Sequence, residues 1–200
     1  MFSYWIAGIP FDITHGIANF VFMLVLYKPV RNIMNKVKKE RVGIVGEIYV
    51  KYARFANNNL EEFLAEQDCE VMVPGFLGFF MFKVDARIQD HRIYGGRPLA
   101  CFVATKFLNY LEKLEKIFMD AVNACSDFVQ LAAYQDTKPP MKELIGLGNR
   151  MGEGWFLPGE MVELIVNGYE NIICTQPFGC LPTHICGKGM VHKLKTLYPN

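Results

Sequence analysis

The chain has 200 residues, 52% hydrophobic and 20% charged, with a formal net charge of +1. That much apolar material excludes a disordered chain, and near-neutrality with no basic stripe interleaved with aromatics excludes the usual footprint of nucleic-acid binding. Six cysteines and no signal-peptide pattern point to thiols or metal ligands in a reducing, cytoplasmic compartment rather than to disulfides.

Residues 1–40 differ in character from everything after them. Residues 17–27 (IANFVFMLVLY) are almost wholly apolar, and Arg31, Lys36, Lys38, Lys39 and Arg41 follow closely. A hydrophobic run closed by a basic cluster is the pattern of a membrane helix with its positive end in the cytoplasm. A spanning helix takes about 20 apolar residues, and Asp12, His15 and Asn19 interrupt the backward extension. The segment is therefore expected to be a hydrophobic helix with membrane contact through 17–27, or else a buried or irregular appendage. Residues 8–20 (GIPFDITHGIANF) resemble the last membrane helix of substrate-binding components of energy-coupling-factor transporters. Such a component has several membrane helices and this sequence shows one, which a gene fusion or a misjoined reading frame would also explain.

From Arg41 the pattern becomes that of an α/β protein. The β-branched run Val42–Ile48 predicts a first buried strand. Asn57, Asn58 and Asn59 are N-cap candidates for a helix Leu60–Glu66, with Glu61 and Glu62 in its first turn. Cys69–Pro74 predicts a second strand, so strand, helix and strand form a parallel βαβ unit. Phe76–Val84 predicts a buried helix, and His91, Arg92, Gly95, Gly96 and Arg97 a solvated loop rather than a phosphate contact. Leu99–Val122 reads as an amphipathic helix, with Leu108, Leu111, Leu114, Ile117 and Phe118 inward and Lys106, Glu112, Lys113, Glu115 and Lys116 opposite. Lys138, Pro139 and Pro140 mark a boundary before a short helix, Met141–Asn149.

The glycine-rich stretch Gly152–Met161 (GEGWFLPGEM) leads into a helix predicted over Gly159–Asn167 and stopped by Gly168. No Lys-Ser/Thr pair follows, which excludes a P-loop, and the spacing is not that of a dinucleotide fingerprint. Pro158 and Glu160 suit the first turn of a helix, whereas Glu153, between two glycines, has little structural purpose. A short strand over Asn171–Cys174 then enters a loop spaced Cys174-x5-Cys180-x5-Cys186, with His184 inside it and Pro177 and Pro182 breaking it. A last helix is predicted over Gly187–Leu197. This order puts the thiols at the carboxyl end of a strand, where open α/β sheets collect ligands. Thiolates suit zinc, copper(I) or iron–sulfur centres, but the spacing matches neither zinc knuckles nor ferredoxin runs. Nucleophilic catalysis with His184 or His192 is a second option. Simple packing is a third, and it is the one expected for Cys69, Cys101 and Cys125.

Gly152–Met161, followed by 173–184 (ICTQPFGCLPTH) and 187–190 (GKGM), resembles the large proteins of the 2-hydroxyacyl-CoA dehydratase activator family. Residues 42–51 (VGIVGEIYVK), with Asn57–Asn59 and 71–74 (VMVP), look like an earlier part of the same region. The resemblance covers residues 41–200 and implies a Rossmann-like parallel sheet with flanking helices, holding an oxygen-sensitive [4Fe-4S] cluster. It further implies low-potential electron transfer to or within a radical dehydratase that removes water from a 2-hydroxyacyl-CoA, and an ATP-hydrolysing activase as partner. This chain would be the dehydratase-like part, since no actin-like phosphate loop is present. By the motif Cys180 is the first candidate cluster ligand, Cys174 the second and Cys186 the third. The family's chain continues past Asn200, so the domain is expected to be truncated at its C-terminus. The alternative from another class is a membrane-attached, transporter-derived or binding protein with no redox cofactor.

Overall fold

The computed structural model describes Phe20, Met23 and residues 25–29, 39–125 and 132–199. The chain divides into two compact units, Met1–Lys39 and Glu40–Asn200. In the first, residues 25–29 are helical and largely exposed. Among the described residues no helix is long and apolar enough to cross a membrane. The expected hydrophobic helix therefore gains no support there, and most of the 17–27 run lies outside the described residues.

The second unit is mixed α/β, with helices around a three-stranded parallel sheet in the order β2–β1–β3. The central strand β1 (Arg41–Gly46) buries Val42, Ile44 and Val45, the continuous apolar run of a parallel strand covered on both faces. Its partners are β2 (Glu70–Met72) and β3 (Asn171–Thr175), with Gly43 opposite Met72 on one side and Val45 opposite Cys174 on the other. Between β1 and β2 run α1 (Ile48–Tyr52) and α2 (Leu60–Glu66). Asn57 supplies the cap expected of this asparagine run, its Oδ1 accepting from Leu60 N at 3.2 Å. The chain leaves β2 at one edge and returns as β3 on the far side of β1. The strand order thus reverses beside β1, so the carboxyl ends of β1 and β3 flank the switch point where open α/β sheets bind ligands.

Between β2 and β3 lie α3 (Phe76–Tyr94), α4 (Pro98–Asn123), a 3-10 turn at Tyr134–Thr137, α5 (Lys138–Leu144) and α6 (Phe156–Val166). After β3 come α7 (Leu181–Cys186), a 3-10 turn at Lys188–Met190 and α8 (Val191–Leu197). Several boundaries differ from expectation. Helix α3 runs on through His91 and Arg92, expected as loop, and ends only where Gly95 N donates to His91 O at 3.1 Å. Asp85 accepts from Tyr134 Oη at 3.1 Å and pairs with Lys138 at 2.8 Å, and the first backbone break is Gly95. Pro139 and Pro140 lie inside the first turn of α5 rather than before it, where no amide hydrogen is missed. Residues 181–186, expected as loop, form α7 because Pro182 sits in its first turn, and Gly187 ends that helix instead of opening the last one. On α4, Leu108 and Leu111 are buried as expected, but Ile117 and Phe118 are exposed and Glu115 is half-buried. The inner face is rotated because Glu115 accepts from Tyr134 N at 2.8 Å. Phe82 stacks on Phe156 at 5.7 Å and meets Trp155 edge-on at 5.3 Å, filling the core.

Candidate functional site

The site is built where β1 and β3 end. Glu47 N donates to Thr175 O at 2.9 Å and Thr175 Oγ1 to Val45 O at 3.1 Å, which fastens the two strand ends together. Cys174, half-buried, is the penultimate residue of β3, and the chain then turns through Pro177, Phe178 and Gly179, with Phe178 fully exposed. Cys180, half-buried, is the residue that caps α7. Its Sγ lies 3.1 Å from Thr183 Oγ1, and Thr183, fully buried, is 3.5 Å from Glu153 Oε2. With the hydroxyl donating to the carboxylate, the Cys180 thiol donates to the hydroxyl. The other oxygen of buried Glu153 accepts from Ile48 N at 3.2 Å. The carboxylate expected to have little structural purpose thus ties the start of α1 to α7.

His184 does not act on a thiol. Its Nδ1 is 2.8 Å from Cys180 O, a carbonyl that only accepts, so this nitrogen carries the proton and Nε2 faces Gln176 Nε2 at 3.4 Å. Among the described residues the Gln176 Oε1, which is buried, has no hydrogen-bond partner. His192 is exposed on α8. Cys186, buried at the end of α7, accepts from Asn149 Nδ2 at 3.2 Å. Cys69 and Cys101 are half-buried and Cys125 exposed, all on other parts of the unit.

Two glycines let these pieces close up. Gly152 has φ 57°, and a Cβ there would stand 2.6 Å from Pro182 Cβ. At Gly187 a Cβ would meet Thr183 O at 2.7 Å and Cys174 Sγ at 3.0 Å. Any side chain at Gly187 would push into the thiol or the last turn of α7.

Electrostatically the site is acidic. Burial pushes the Cys174 thiol up to about 11, with Glu153, Glu160 and Cys180 adding to the rise. Burial raises Cys186 as well, partly offset by the Asn149 hydrogen bond and reinforced by Glu153. Lys83 donates to Gly152 O; burial lowers its pKa, against the pull of Glu153. Lys51, fully buried on α1, gives its ammonium to both oxygens of buried Glu160, at 2.8 and 3.1 Å. Burial raises the Glu160 carboxyl to about 7, Lys51 holding it back from going further. Glu160, expected in a first helical turn, is instead a mid-helix residue of α6 paired with a cation from across the sheet edge. Sequence reasoning missed Lys51, Asn149 and Thr183. The one signal for Lys51 is an acid embedded in the apolar run FLPGEMVELIV, which demands a counterion.

Cys180 comes near enough to Cys174 to add to the rise that burial gives that thiol's pKa, and both thiols suit an iron–sulfur centre. Cys186 is held by Asn149. Among the described residues no three His, Cys, Asp or Glu side chains gather into a set that could hold a metal ion. A four-iron cluster takes four thiolates, so these residues supply part of a donor set. Comparison with known proteins gives no match: no family model, no curated protein and no solved structure matches the chain.

Proposed function

We propose that Glu40–Asn200 is a Rossmann-like iron–sulfur component related to 2-hydroxyacyl-CoA dehydratase activation. In this reading it serves low-potential electron transfer to or within a radical dehydratase, with an ATP-hydrolysing activase as partner and a 2-hydroxyacyl-CoA as the eventual substrate. The observation that carries the reading is convergence. The stretches that resemble the family, Gly152–Met161 on one side and 173–184 with the adjoining 187–190 on the other, close on one another around Cys174 and Cys180. Their contacts are Gly152 on Pro182, Glu153 on Thr183 and Gly187 on Cys174, at the edge of the sheet where α/β folds bind ligands.

A [4Fe-4S] cluster supplies one-electron chemistry when bound. Cys180 and then Cys174 would hold it, and ligands from outside these residues would complete the set. The chain's own groups do the rest. Thr183 and the fixed Gln176–His184 pair orient the loop, and the Glu153 carboxylate makes the surroundings negative, which favours a low potential. Cys186, committed to Asn149, is the weakest of the three candidate ligands.

The test is anaerobic reconstitution of the full chain with iron and sulfide, an external thiol being present to fill open corners. The expected result is a broad visible absorption bleached by dithionite, with iron and sulfide content falling in Cys180→Ser while circular dichroism stays unchanged. Equal iron in Cys180→Ser and the natural chain, or no iron in either, would sink the assignment.

A further inference from the structure

A cavity of about 320 Å³ lies past the end of β2, bounded by the first turn of α3, the later part of α4, the 3-10 turn at Tyr134–Thr137 and α6. That is the small end of the ~300–1,000 Å³ range of ligand pockets. Its walls are mostly apolar, with the rings of Phe76, Phe118, Tyr134, Phe156 and Tyr169 among them. None of the six cysteines lines it; Glu160 is the lining residue that also weighs on Cys174. Three carboxylates interrupt the apolar wall, Glu115, Glu160 and Glu163, and no lysine, arginine or histidine lines it. The cations that stand near the lining groups are each taken: Lys51 by Glu160, Lys138 by Asp85 and Arg41 by Glu70. Glu115 and Glu163 have no ion-pair partner among the described residues. Each uses Oε1 on a backbone amide, Glu115 accepting from Tyr134 N at 2.8 Å and Glu163 from Ala132 N at 3.3 Å. Among the described residues no donor reaches Oε2 of either.

We propose that this cavity binds an organic ammonium ion, a primary amine on an apolar body, with Glu115 and Glu163 holding the ammonium and the aromatic walls holding the body. The charge of the site selects the ligand. An ammonium has three donors, enough to serve the open oxygen of each carboxylate, and a ring face attracts a cation as well as an alkyl chain. An anion would be repelled, and a neutral ligand would leave both acids uncompensated in an apolar site. The titration behaviour agrees. Burial raises the Glu115 carboxyl against the Tyr134 hydrogen bond, with Glu112 and Asp136 adding to the rise. Burial raises Glu163 as well, against the Ala132 hydrogen bond, with Glu115 adding. A positive charge beside them relieves that strain on their ionised forms. The proposal stands apart from the iron–sulfur reading, since no thiol takes part in it.

Isothermal titration calorimetry on the full chain, above neutral pH, tests it with three probes that share one tail: n-octylammonium, 1-octanol and octanoate. Glu115→Gln and Glu163→Gln remove the charge yet keep an Oε1 to accept from the same backbone amide. Glu163→Lys places an ammonium of the chain's own beside Glu115. The natural chain should bind one octylammonium, about tenfold more tightly than octanol, and octanoate least of all. Each Gln variant should lose roughly tenfold in affinity for octylammonium, with octanol binding and circular dichroism unchanged, and Glu163→Lys should lose amine binding altogether. Octanol or octanoate binding as tightly as the amine would overturn the proposal, as would the absence of amine binding. Several amines per chain, taken up equally by the natural chain and both Gln variants, would mark adsorption to the surface and overturn it too.

Discussion

Replacing Lys51 with Met tests how the floor of the site is held. Lys51 and Glu160 are both fully buried and joined by two hydrogen bonds, at 2.8 and 3.1 Å. Removing one partner of such a pair leaves an uncompensated charge and costs about 3–5 kcal/mol. The cost should depend on pH, because the stranded carboxyl can protonate. In the natural protein the folded pKa of Glu160, about 7, already lies above its ordinary 4.5. Its contribution to stability is thus fully present below the ordinary value and lost as pH rises through 7. Without Lys51 the folded pKa climbs further, so the loss continues above pH 7 at up to about 1.4 kcal/mol per pH unit. Urea unfolding, followed by the fluorescence of buried Trp155, should show a cost of about 3–5 kcal/mol near pH 8.5 that shrinks by roughly 2 kcal/mol or more near pH 5.5. The double variant Lys51→Met/Glu160→Leu should recover most of the loss at high pH, since an apolar pair of similar volume replaces a buried ion pair at little cost. A penalty under about 1 kcal/mol at high pH, or one equal at both pH values, would refute this account of the pair.

Other expectations concern the loop itself. Alkylation near neutral pH, mapped by mass spectrometry, should modify exposed Cys125 and half-buried Cys180 before Cys174 and Cys186, whose thiols are held protonated by burial; equal rates at all four would contradict the burial pattern. Gly187→Ala should cost about 1–3 kcal/mol in thermal or urea unfolding, because the new methyl meets Thr183 O at 2.7 Å in a packed region. Thr183→Val removes the hydroxyl between Cys180 and Glu153 and should cost about 1–3 kcal/mol, whereas Thr183→Ser should stay close to the natural stability; equal losses would mean that the hydroxyl does not matter.

Most of the sheet was legible in the sequence because its signals are local. The β-branched run at 42–46, the proline after β2 and the short apolar run at 171–174 each declare a strand without help from the rest of the chain. The βαβ unit follows from their order. What sequence could not show is registry between distant pieces. The inner face of α4 depends on where Tyr134 N finds its acceptor, and that is fixed by Glu115 across a connection. The burial of Lys51 depends on Glu160, 109 residues away. Pro182 reads as a loop breaker locally, and only the helix that follows shows it to be a first-turn proline. At the site, the positions of Cys174 and Cys180 at the end of β3 were readable from strand and spacing. The separate commitment of Cys186 to Asn149 was not, since nothing near either residue announces the other.

The motif residues divide by what they do physically, and that division bears on the site's chemistry. Gly152, Pro182 and Gly187 are explained by packing alone, since each sits where an added Cβ or a lost ring would disturb a neighbour. Glu153 is not explained in that way. A buried carboxylate is costly, and its two donors, Ile48 N and Thr183 Oγ1, could have been satisfied by a neutral amide or hydroxyl. Instead its charge raises the pKa of Cys174, the opposite of what a thiol nucleophile needs. Metal coordination reverses this logic, because it deprotonates thiols outright; beside a thiolate-held cluster, itself anionic, a carboxylate then disfavours the added electron and lowers the potential. The acid beside the thiols therefore weighs against cysteine nucleophilic catalysis and fits the low-potential centre proposed above. Glu153→Gln separates the two. It should lower the Cys174 pKa and speed its alkylation in the metal-free chain, while the reduction potential of the reconstituted chain rises. A variant that alkylates faster with an unchanged potential would leave Glu153 without a part in tuning the centre.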